Sequence, residues 1–307
     1  MPRNLRLMTF VTLFATGSST ARTPLAAETA AESKPAPRSL EARISPLIKA
    51  HEGEVAVVVR SLRGNERYEY RADVPMPTAS LIKMAVMVEA YRQSEAGKLD
   101  LKRTLTLKKE DKAPGSGILA YHFSDGATFP LLDAVHLMIA FSDNTAANLV
   151  VDAVGLPSTA ATMASLGYPN TKLHSKVFHR ETSIFPDRSK DFGLGSTTAD
   201  EAARLATAIW EKTILSTASC DAMIAHLRAC EDNDKFPRFL PRGKVAHKTG
   251  SVDDVRTDVG VVECPRGAVA LAVLTRCNKD RRYAPDNAGN VLCARIAEQV
   301  YDYFSQP

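Results

Sequence analysis

The sequence lacks the residue patterns of several common functional sites. It has five cysteines in 307 residues and no C-x-x-C pair, which argues against a zinc ribbon or a thioredoxin-like site. Its seven histidines show no H-x-H or H-x-x-x-H spacing, so we expect no metal ion and no cofactor. Basic and acidic residues nearly balance, 39 against 35, which gives no support to a nucleic-acid partner. No apolar run is long enough to span a membrane.

The N-terminal segment has the pattern of an export signal. Two arginines precede a short apolar run, and small residues follow it. We therefore predict a signal peptide over residues 1–21 and a periplasmic or secreted protein. The next stretch is rich in Ala, Pro, Glu and Ser, which predicts a disordered leader over residues 22–39. The folded domain is then expected at residues 40–307.

All the cysteines lie in the last third of the chain. In an oxidising compartment such a set permits one or two disulfides with one thiol left over. The sequence leaves their connectivity open, and Cys277 with Cys293 is one candidate pair.

The hydrophobic pattern predicts an α+β fold. Two early β-rich runs are separated by residues 63–65, Arg-Gly-Asn, and two late runs flank residues 265–267, Pro-Arg-Gly, so both pairs are predicted hairpins. The middle of the chain, roughly residues 80–241, has apolar residues at helical spacing. We expect an antiparallel sheet of about five strands from both chain ends. Terminal helices would flank it beside an all-helical lobe, with a small-molecule cleft between the lobes.

The helix predicted to begin near Ser80 carries a polar pair in an apolar setting. Its other residues, up to Val88, are apolar on every side, which predicts a buried helix. Ser80 and Lys83 are one turn apart and share a face, so the amine can reach the hydroxyl and act as its base. Burial favours the neutral amine that such a base needs. The alternative is a Ser80 helix cap and a Lys83 side chain that extends to the surface.

A second short motif, Ser142-Asp143-Asn144, lies between two helical patterns. Asp143 is the expected N-cap of the following helix, because aspartate accepts hydrogen bonds from the free N–H groups of a first turn. Ser142 and Asn144 are then free to point into a cleft.

A third motif, Lys248-Thr249-Gly250 followed by Ser251, opens the late strands. Lysine, threonine and serine around one glycine suit the binding of a carboxylate. Gly250 would allow a ligand to approach the backbone closely. An ordinary strand with an exposed Lys248 is the alternative.

Together the three motifs S-x-x-K, S-D-N and K-T-G resemble those of the class A serine β-lactamases and their relatives, the penicillin-recognising serine hydrolases. Residues 115–119 (GSGIL), 137–155 (LMIAFSDNTAANLVVDAVG) and 245–251 (VAHKTGS) are also similar to that family. The resemblance covers roughly residues 40–304. It implies a β-lactamase/transpeptidase-like fold and opening of the β-lactam ring through an acyl-enzyme on Ser80.

The resemblance also implies roles for individual residues. Lys83 would be the proton-relay partner of Ser80, and Ser142 would pass a proton to the β-lactam nitrogen. The backbone N–H groups of Ser80 and Ser251 would form the oxyanion hole. The remaining motif residues would bind substrate, either its side-chain amide or its carboxylate: Asn144, Lys248, Thr249, Gly250 and Ser251.

The deacylation loop fits the family pattern only in part. Class A enzymes share an E-x-x-L-N motif that positions a water, and Glu181 falls near the expected distance before Thr198. Ile184 and Phe185 stand where Leu-Asn is expected, and Phe185 cannot hydrogen-bond a water. Glu181 is the candidate base. If it is instead a surface carboxylate, acylation could survive while turnover would be slow.

Arg256 is the nearest basic residue on the strand after Lys248. Family members often place an arginine near this region for the substrate carboxylate, although the spacing here is not a clean match. An ion pair with Asp258 is the alternative.

Two other functions remain open from the sequence. One is a D-alanyl-D-alanine carboxypeptidase or transpeptidase that β-lactams only acylate. The other is a catalytically idle, non-hydrolysing penicillin-binding protein of the cell wall. In each case the partner is a small β-lactam or peptidoglycan-peptide-like molecule, and the chain is expected to be a monomer.

Overall fold

The computed structural model describes residues 39–306, in which we find ten α-helices and ten β-strands. The predicted signal peptide and the predicted leader up to residue 38 lie outside the described residues. The helices are α1 (Leu40–Ala50), α2 (Lys83–Glu95), α3 (Leu119–His122), α4 (Leu131–Ala140), α5 (Asn144–Val154), α6 (Leu156–Ser165), α7 (Pro186–Phe192), α8 (Ala199–Trp210), α9 (Thr217–Arg228) and α10 (Ala288–Tyr303). The strands are β1 (Glu54–Ser61), β2 (Arg67–Tyr70), β3 (Met76–Pro77), β4 (Thr104–Thr106), β5 (Thr128–Pro130), β6 (Lys172–Leu173), β7 (Gly195–Thr197), β8 (Val245–Val252), β9 (Val255–Cys264) and β10 (Gly267–Arg276). Four short 3₁₀ turns also occur, at Ala79–Ile82, Lys109–Asp111, Arg180–Thr182 and Phe236–Phe239.

The main sheet joins the two ends of the chain. Its five strands lie in the order β2-β1-β10-β9-β8, and every neighbouring pair is antiparallel. The β1–β2 and β9–β10 hairpins turn where the sequence predicted them. The register of β1 on β10 sets Val57 opposite Val273. The predicted α+β architecture, with a sheet of about five strands, is therefore confirmed.

Both faces of this sheet are buried, which explains why β1 reads as an almost continuous apolar run. Because side chains alternate along a strand, Val55, Val57 and Val59 pack on one face with the terminal helices α1 and α10. Ala56 and Val58 pack on the other face, in the core shared with the helical part of the chain. The terminal helices thus cover one face and the helical lobe covers the other.

The α2 helix lies at the centre of the helical lobe, in contact with α4, α5, α6 and α9. Residues from Met84 to Tyr91 are all buried, so the helix is enclosed on every side, as its sequence predicted. Burial of each such Met or Val side chain contributes about 1.5–3 kcal/mol, which fixes the position of the turn at the start of the helix.

Three features differ from the sequence-based expectation. Two small sheets, β3-β7-β6 and β4-β5, occur besides the main sheet, and their strands of two or three residues are too short to give a hydrophobic pattern. Ser80 lies in the 3₁₀ turn Ala79–Ile82 that precedes α2, rather than in the α-helix itself. The candidate Cys277–Cys293 disulfide is not formed, since all five cysteines are free; Cys277 is exposed, whereas Cys293 is buried.

Among residues 39–306, none of the helices is long and apolar enough to cross a membrane.

Candidate active site

The turn that carries Ser80 packs directly against the edge strand β8. A Cβ added to Gly250 would lie 2.2 Å from the carbonyl oxygen of Thr78 and 3.0 Å from the amide nitrogen of Leu81. Thr257, opposite Gly250 on β9, donates its hydroxyl to the same Thr78 oxygen at 3.0 Å. Gly250 is therefore needed for the close approach of the chain's own turn. Gly250 also lines the cavity described below.

Ser80 stands at a constrained point of the backbone. The preceding residue, Ala79, has a φ of +46°, a left-handed conformation that costs energy in a residue with a side chain. Thr78 and Ile82 occupy the two cap positions, so Ser80 does not cap a helix. Its hydroxyl is thus not committed to capping and is available to the cavity that Ser80 lines.

Lys83 is buried and does not extend to the surface. Its Nζ donates to the carbonyl oxygen of Ser142 at 2.6 Å and to Oδ1 of Asn144 at 2.8 Å, and it lies 3.4 Å from Ser142 Oγ. Among the described residues it makes no hydrogen bond to Ser80. Burial and, next, the charge of Lys248 lower the pKa of Lys83 well below that of an ordinary lysine. This shift is towards the neutral amine, the form that can accept a proton.

Asp143 is the N-cap of α5, as predicted, and its carboxylate also fixes a second segment. One oxygen accepts from the Ala146 amide at 2.9 Å, and the other accepts from the amides of Ile118 and Leu119 at 2.7 and 2.8 Å. A Cβ on Gly117 would lie 2.3 Å from the Asp143 carboxyl carbon. Residues 117–119 are therefore held directly against the start of α5.

Ser142 lies between the two lysines. Its φ is +52°, another left-handed conformation of a non-glycine residue. Lys248 donates to its hydroxyl at 3.1 Å, while Lys83 holds its carbonyl. Lys248 is fully buried, which excludes the exposed-strand alternative, and burial lowers its pKa. A single hydroxyl therefore lies within reach of both amines.

Asn144 is buried, and its amide is used at both ends. Oδ1 accepts from Lys83, and Nδ2 donates to the carbonyl oxygen of Pro114 at 2.8 Å. A side-chain amide has two N–H groups, so the Pro114 bond uses one of them.

The predicted motif residues meet around one cavity of about 270 Å³. Six of them line it: Ser80, Ser142, Lys248, Thr249, Gly250 and Ser251. Six further lining residues were not predicted from the sequence: Ser116, Ala140, Phe141, Cys230, Glu231 and Asp232. No motif in the sequence marks the last three of these, which follow α9 and reach the cavity only through folding.

Asp232 brings to this cavity an ion pair with the buried Lys235. Its carboxylate accepts from Lys235 Nζ at 2.6 Å. Burial raises the pKa of Asp232, but the charge of Lys235 offsets this and holds the pKa below its usual range. Asp232 is therefore ionised and contributes negative charge near Lys248.

The structure does not bring Glu181 to the cavity. Its side chain is 71% exposed, in the surface turn Arg180–Thr182, and its carboxylate accepts from Nδ1 of His179 at 2.9 Å. Phe185 packs edge-on to His174, with ring centroids 5.9 Å apart. This placement agrees with the surface-carboxylate alternative.

The prediction for Arg256 is corrected. Along β9 the side chains alternate, so Thr257 faces the turn of Ser80 and Arg256 points to the opposite side. The Arg256 guanidinium donates to backbone carbonyls, among them Val255 at 2.7 Å and Arg282 at 2.8 Å. The predicted alternative partner, Asp258, is bonded to His247 instead.

Within residues 39–306, no group of three or more His, Cys, Asp or Glu side chains is placed to hold a metal ion.

Known proteins with similar sequences and folds are β-lactamases and relatives of them. A family described as the beta-lactamase enzyme family matches residues 39–304. A β-lactamase of Proteus vulgaris is 27% identical over 256 residues, covering 81% of this chain and 82% of its own. The crystal structure of a β-lactamase from Sphaerobacter thermophilus is 31% identical with a TM-score of 0.76, over 87% of this chain and 96% of that one. A mutant of PBP-A, in an acyl-enzyme complex with penicillin G, is 26% identical with a TM-score of 0.75, over 86% and 96%. The chain belongs to the beta-lactamase enzyme family, as a class A serine β-lactamase-like hydrolase.

Proposed function

We propose that this protein opens β-lactam rings through an acyl-enzyme on Ser80. The observation that carries the proposal is the meeting of Ser80, Ser142 and Lys248 at one cavity, with Lys83 buried beside Ser142. A serine hydroxyl is a poor nucleophile until a base removes its proton. The Lys83 amine, whose pKa is lowered, is the proposed base. The β-lactamase names of its relatives agree with this reaction.

The proton then has a short route to the leaving group. Lys83 takes the proton of Ser80 as the hydroxyl attacks the ring carbonyl. Ser142, whose hydroxyl is 3.4 Å from Lys83 and 3.1 Å from Lys248, delivers a proton to the ring nitrogen. A positioned proton donor of this kind contributes about 10²–10⁴-fold to a rate.

The substrate carboxylate and the developing oxyanion have separate partners. Lys248 provides positive charge at the cavity wall, with the hydroxyls of Thr249 and Ser251 beside it. The backbone N–H groups of Ser80 and Ser251 are proposed to form the oxyanion hole. Because β8 is an edge strand, alternate N–H groups along it are not used by the sheet.

A second candidate function is acylation by β-lactams without efficient turnover. The exposed position of Glu181 favours it, since the ester on Ser80 needs a base to activate water. The similarity to PBP-A, observed as an acyl-enzyme with penicillin G, agrees with this alternative.

An intact-mass time course with benzylpenicillin tests the proposal and separates the two functions. Wild-type protein is expected to gain one covalent penicilloyl group, and Ser80→Ala none. Ser116→Ala, a change at another serine of the same cavity, should keep the adduct. Release of the adduct together with nitrocefin turnover supports a β-lactamase, and a persistent adduct supports the second function. Labelling of Ser80→Ala would refute the assignment of the nucleophile.

We further propose that the chain is exported and acts as a monomer, with a signal peptide over residues 1–21, a leader over 22–39 and the catalytic domain at 40–307. The support is the sequence pattern of the first residues. Mass spectrometry of the periplasmic protein should give an N-terminus near residue 21, and light scattering should give one chain per particle. A retained first methionine would contradict export by cleavage.

A further inference from the structure

A buried histidine joins a cysteine of the cavity to an aspartate. His247 Nδ1 lies 2.8 Å from Oδ1 of Asp258, and both residues are almost completely buried. The His247 side chain also interacts with the thiol of Cys230, which lines the cavity next to Lys248. The three side chains therefore form a Cys–His–Asp chain of contacts that none of the roles proposed above uses.

Two further contacts hold this arrangement in place. The second carboxylate oxygen of Asp258 accepts from the Phe236 amide at 3.0 Å, and the Phe236 ring stacks on His247 with centroids 6.3 Å apart. An imidazole held by a carboxylate on one nitrogen presents its other nitrogen in a fixed direction. Since Nδ1 is used by Asp258, the nitrogen left for Cys230 is Nε2.

The charges of the group favour transfer of the thiol proton to the imidazole. Burial lowers the pKa of His247, but Asp258 and Cys230 outweigh it and raise that pKa well above the ordinary value. Burial raises the pKa of the Cys230 thiol, but His247 and Lys248 offset this and the pKa is lowered overall. Lys83, Lys235 and Asp232 are further titratable groups near Lys248. The thiolate is the reactive form of cysteine.

We propose that Cys230, His247 and Asp258 form a second reactive site in the wall of the cavity, a thiolate–imidazolium pair that takes small disulfides. The Cys230 thiolate attacks one sulfur of the disulfide and forms a new S–S bond. The other sulfur leaves, takes the proton of His247 and departs as a free thiol. Cys230 is thereby oxidised, and half of the disulfide is reduced.

The attached group would occupy the cavity that Ser80 and Lys248 also line. Modification of Cys230 is therefore expected to block penicillin labelling of Ser80, and a reductant should restore it. This consequence rests on the proposed function, whereas the thiol chemistry does not, so the two can fail separately.

The test measures mixed-disulfide formation with neutral hydroxyethyl disulfide on the folded protein. The background is Cys277→Ser, which removes the exposed thiol. At about pH 6 an ordinary thiol is only about 0.3% thiolate, so a thiol that is already ionised by its histidine should react much faster. Peptide mass mapping should show Cys230 reacting at least about tenfold faster than the buried Cys220, Cys264 and Cys293. Cys230 reacting no faster than these three would overturn the proposal.

A variant isolates the contribution of the histidine. His247→Gln should lower the Cys230 rate at about pH 6 by about tenfold or more, whereas His226→Gln, at a buried histidine elsewhere, should leave it unchanged. An unchanged rate in folded His247→Gln would refute the pair.

If His247→Gln does not fold, the test is the pH dependence of the Cys230 reaction rate in the Cys277→Ser background protein. A pre-formed thiolate changes its rate by less than about threefold from about pH 6 to 9, whereas an ordinary thiol gains on the order of a hundredfold. A rise of the latter size would also refute the pair.

Discussion

The hydroxyl of Ser142 accepts a hydrogen bond from Lys248 Nζ at 3.1 Å, which links the junction of α4 and α5 to strand β8. The same serine offers its carbonyl oxygen to Lys83 at 2.6 Å. Two buried amines therefore converge on one residue. The charge of Lys248 contributes to the lowered pKa of Lys83. The basicity of Lys83 in the proposed acylation therefore depends on a residue of β8, which lies far from Lys83 in the sequence.

Replacement of Lys83 by arginine should reduce acylation by about 10²–10⁴-fold, because a guanidinium stays protonated and cannot accept the Ser80 proton. In the wild type, the acylation rate should rise with pH through the lowered pKa of Lys83, well below pH 10.5. Intact-mass acylation rates across the neutral range measure both effects. Lys98→Arg, at an exposed lysine, is the control. Wild-type acylation by Lys83→Arg would remove Lys83 from the role of base.

Gly250→Ala should impair both folding stability and acylation. Its Cβ would overlap the Thr78 carbonyl, a backbone atom of the turn that carries Ser80, and overpacking of this kind costs about 1–3 kcal/mol. At Gly64 the nearest atom is instead the end of the flexible Glu66 side chain, so Gly64→Ala is the matched control. Denaturation midpoints and penicillin labelling give the comparison. Equal behaviour of the two variants would show that the turn can move aside.

Glu181→Gln should leave the decay of the acyl-enzyme nearly unchanged, since the carboxylate is exposed and bonded to His179. A general base would give a much larger effect, about 10²–10⁴-fold. The decay rate of the adduct by intact mass is the measurement. A marked slowing in Glu181→Gln would mean that the loop moves to bring Glu181 over Ser80 when substrate binds.

Arg256→Met should destabilise the protein without weakening β-lactam binding. The guanidinium satisfies buried backbone carbonyls, and leaving such groups unpaired costs about 1–3 kcal/mol each. Urea denaturation and the concentration dependence of acylation separate the two effects. Thr257→Val, at the neighbouring residue that faces the Ser80 turn, should affect acylation more than Arg256→Met does. The reverse order would return Arg256 to a role in substrate binding.

Stability should fall on acidification because of His226. Burial and then the charge of His136 lower the pKa of His226 from 6.5 to about 4. Below pH 6.5 the unfolded chain takes up a proton that the folded protein does not, so stability is lost as the pH falls towards 4. The full loss is about 3 kcal/mol at 1.36 kcal/mol per pKa unit. His226→Gln should flatten this dependence in urea titrations at several pH values. An identical pH profile in that variant would assign the loss to other groups.

The sequence predicted most of the main sheet and the family motifs, because each is encoded locally. Both hairpins of the sheet and the buried character of α2 depend on residues close together in the chain. The capping role of Asp143 is equally local, since a cap binds the helix that it begins. The short strands of the small sheets carried no such pattern and were missed.

The positions of the Glu181 and Arg256 side chains could not be predicted from local sequence patterns. The face to which Arg256 points depends on the register of β8 and β9, and a shift by one residue reverses it. The exposure of Glu181 depends on how a long loop packs, for which spacing from Thr198 carries no information.

The sequence by itself determined the motif residues, their order and the family, since these are properties of local patterns. Only the tertiary structure decided which side chains share the cavity. Cys230 and His247 come together because the end of α9 packs beside β8, and Asp258 joins them because β9 pairs with that strand. Contacts between residues distant in the chain arise from packing and strand register, which no short stretch of sequence encodes.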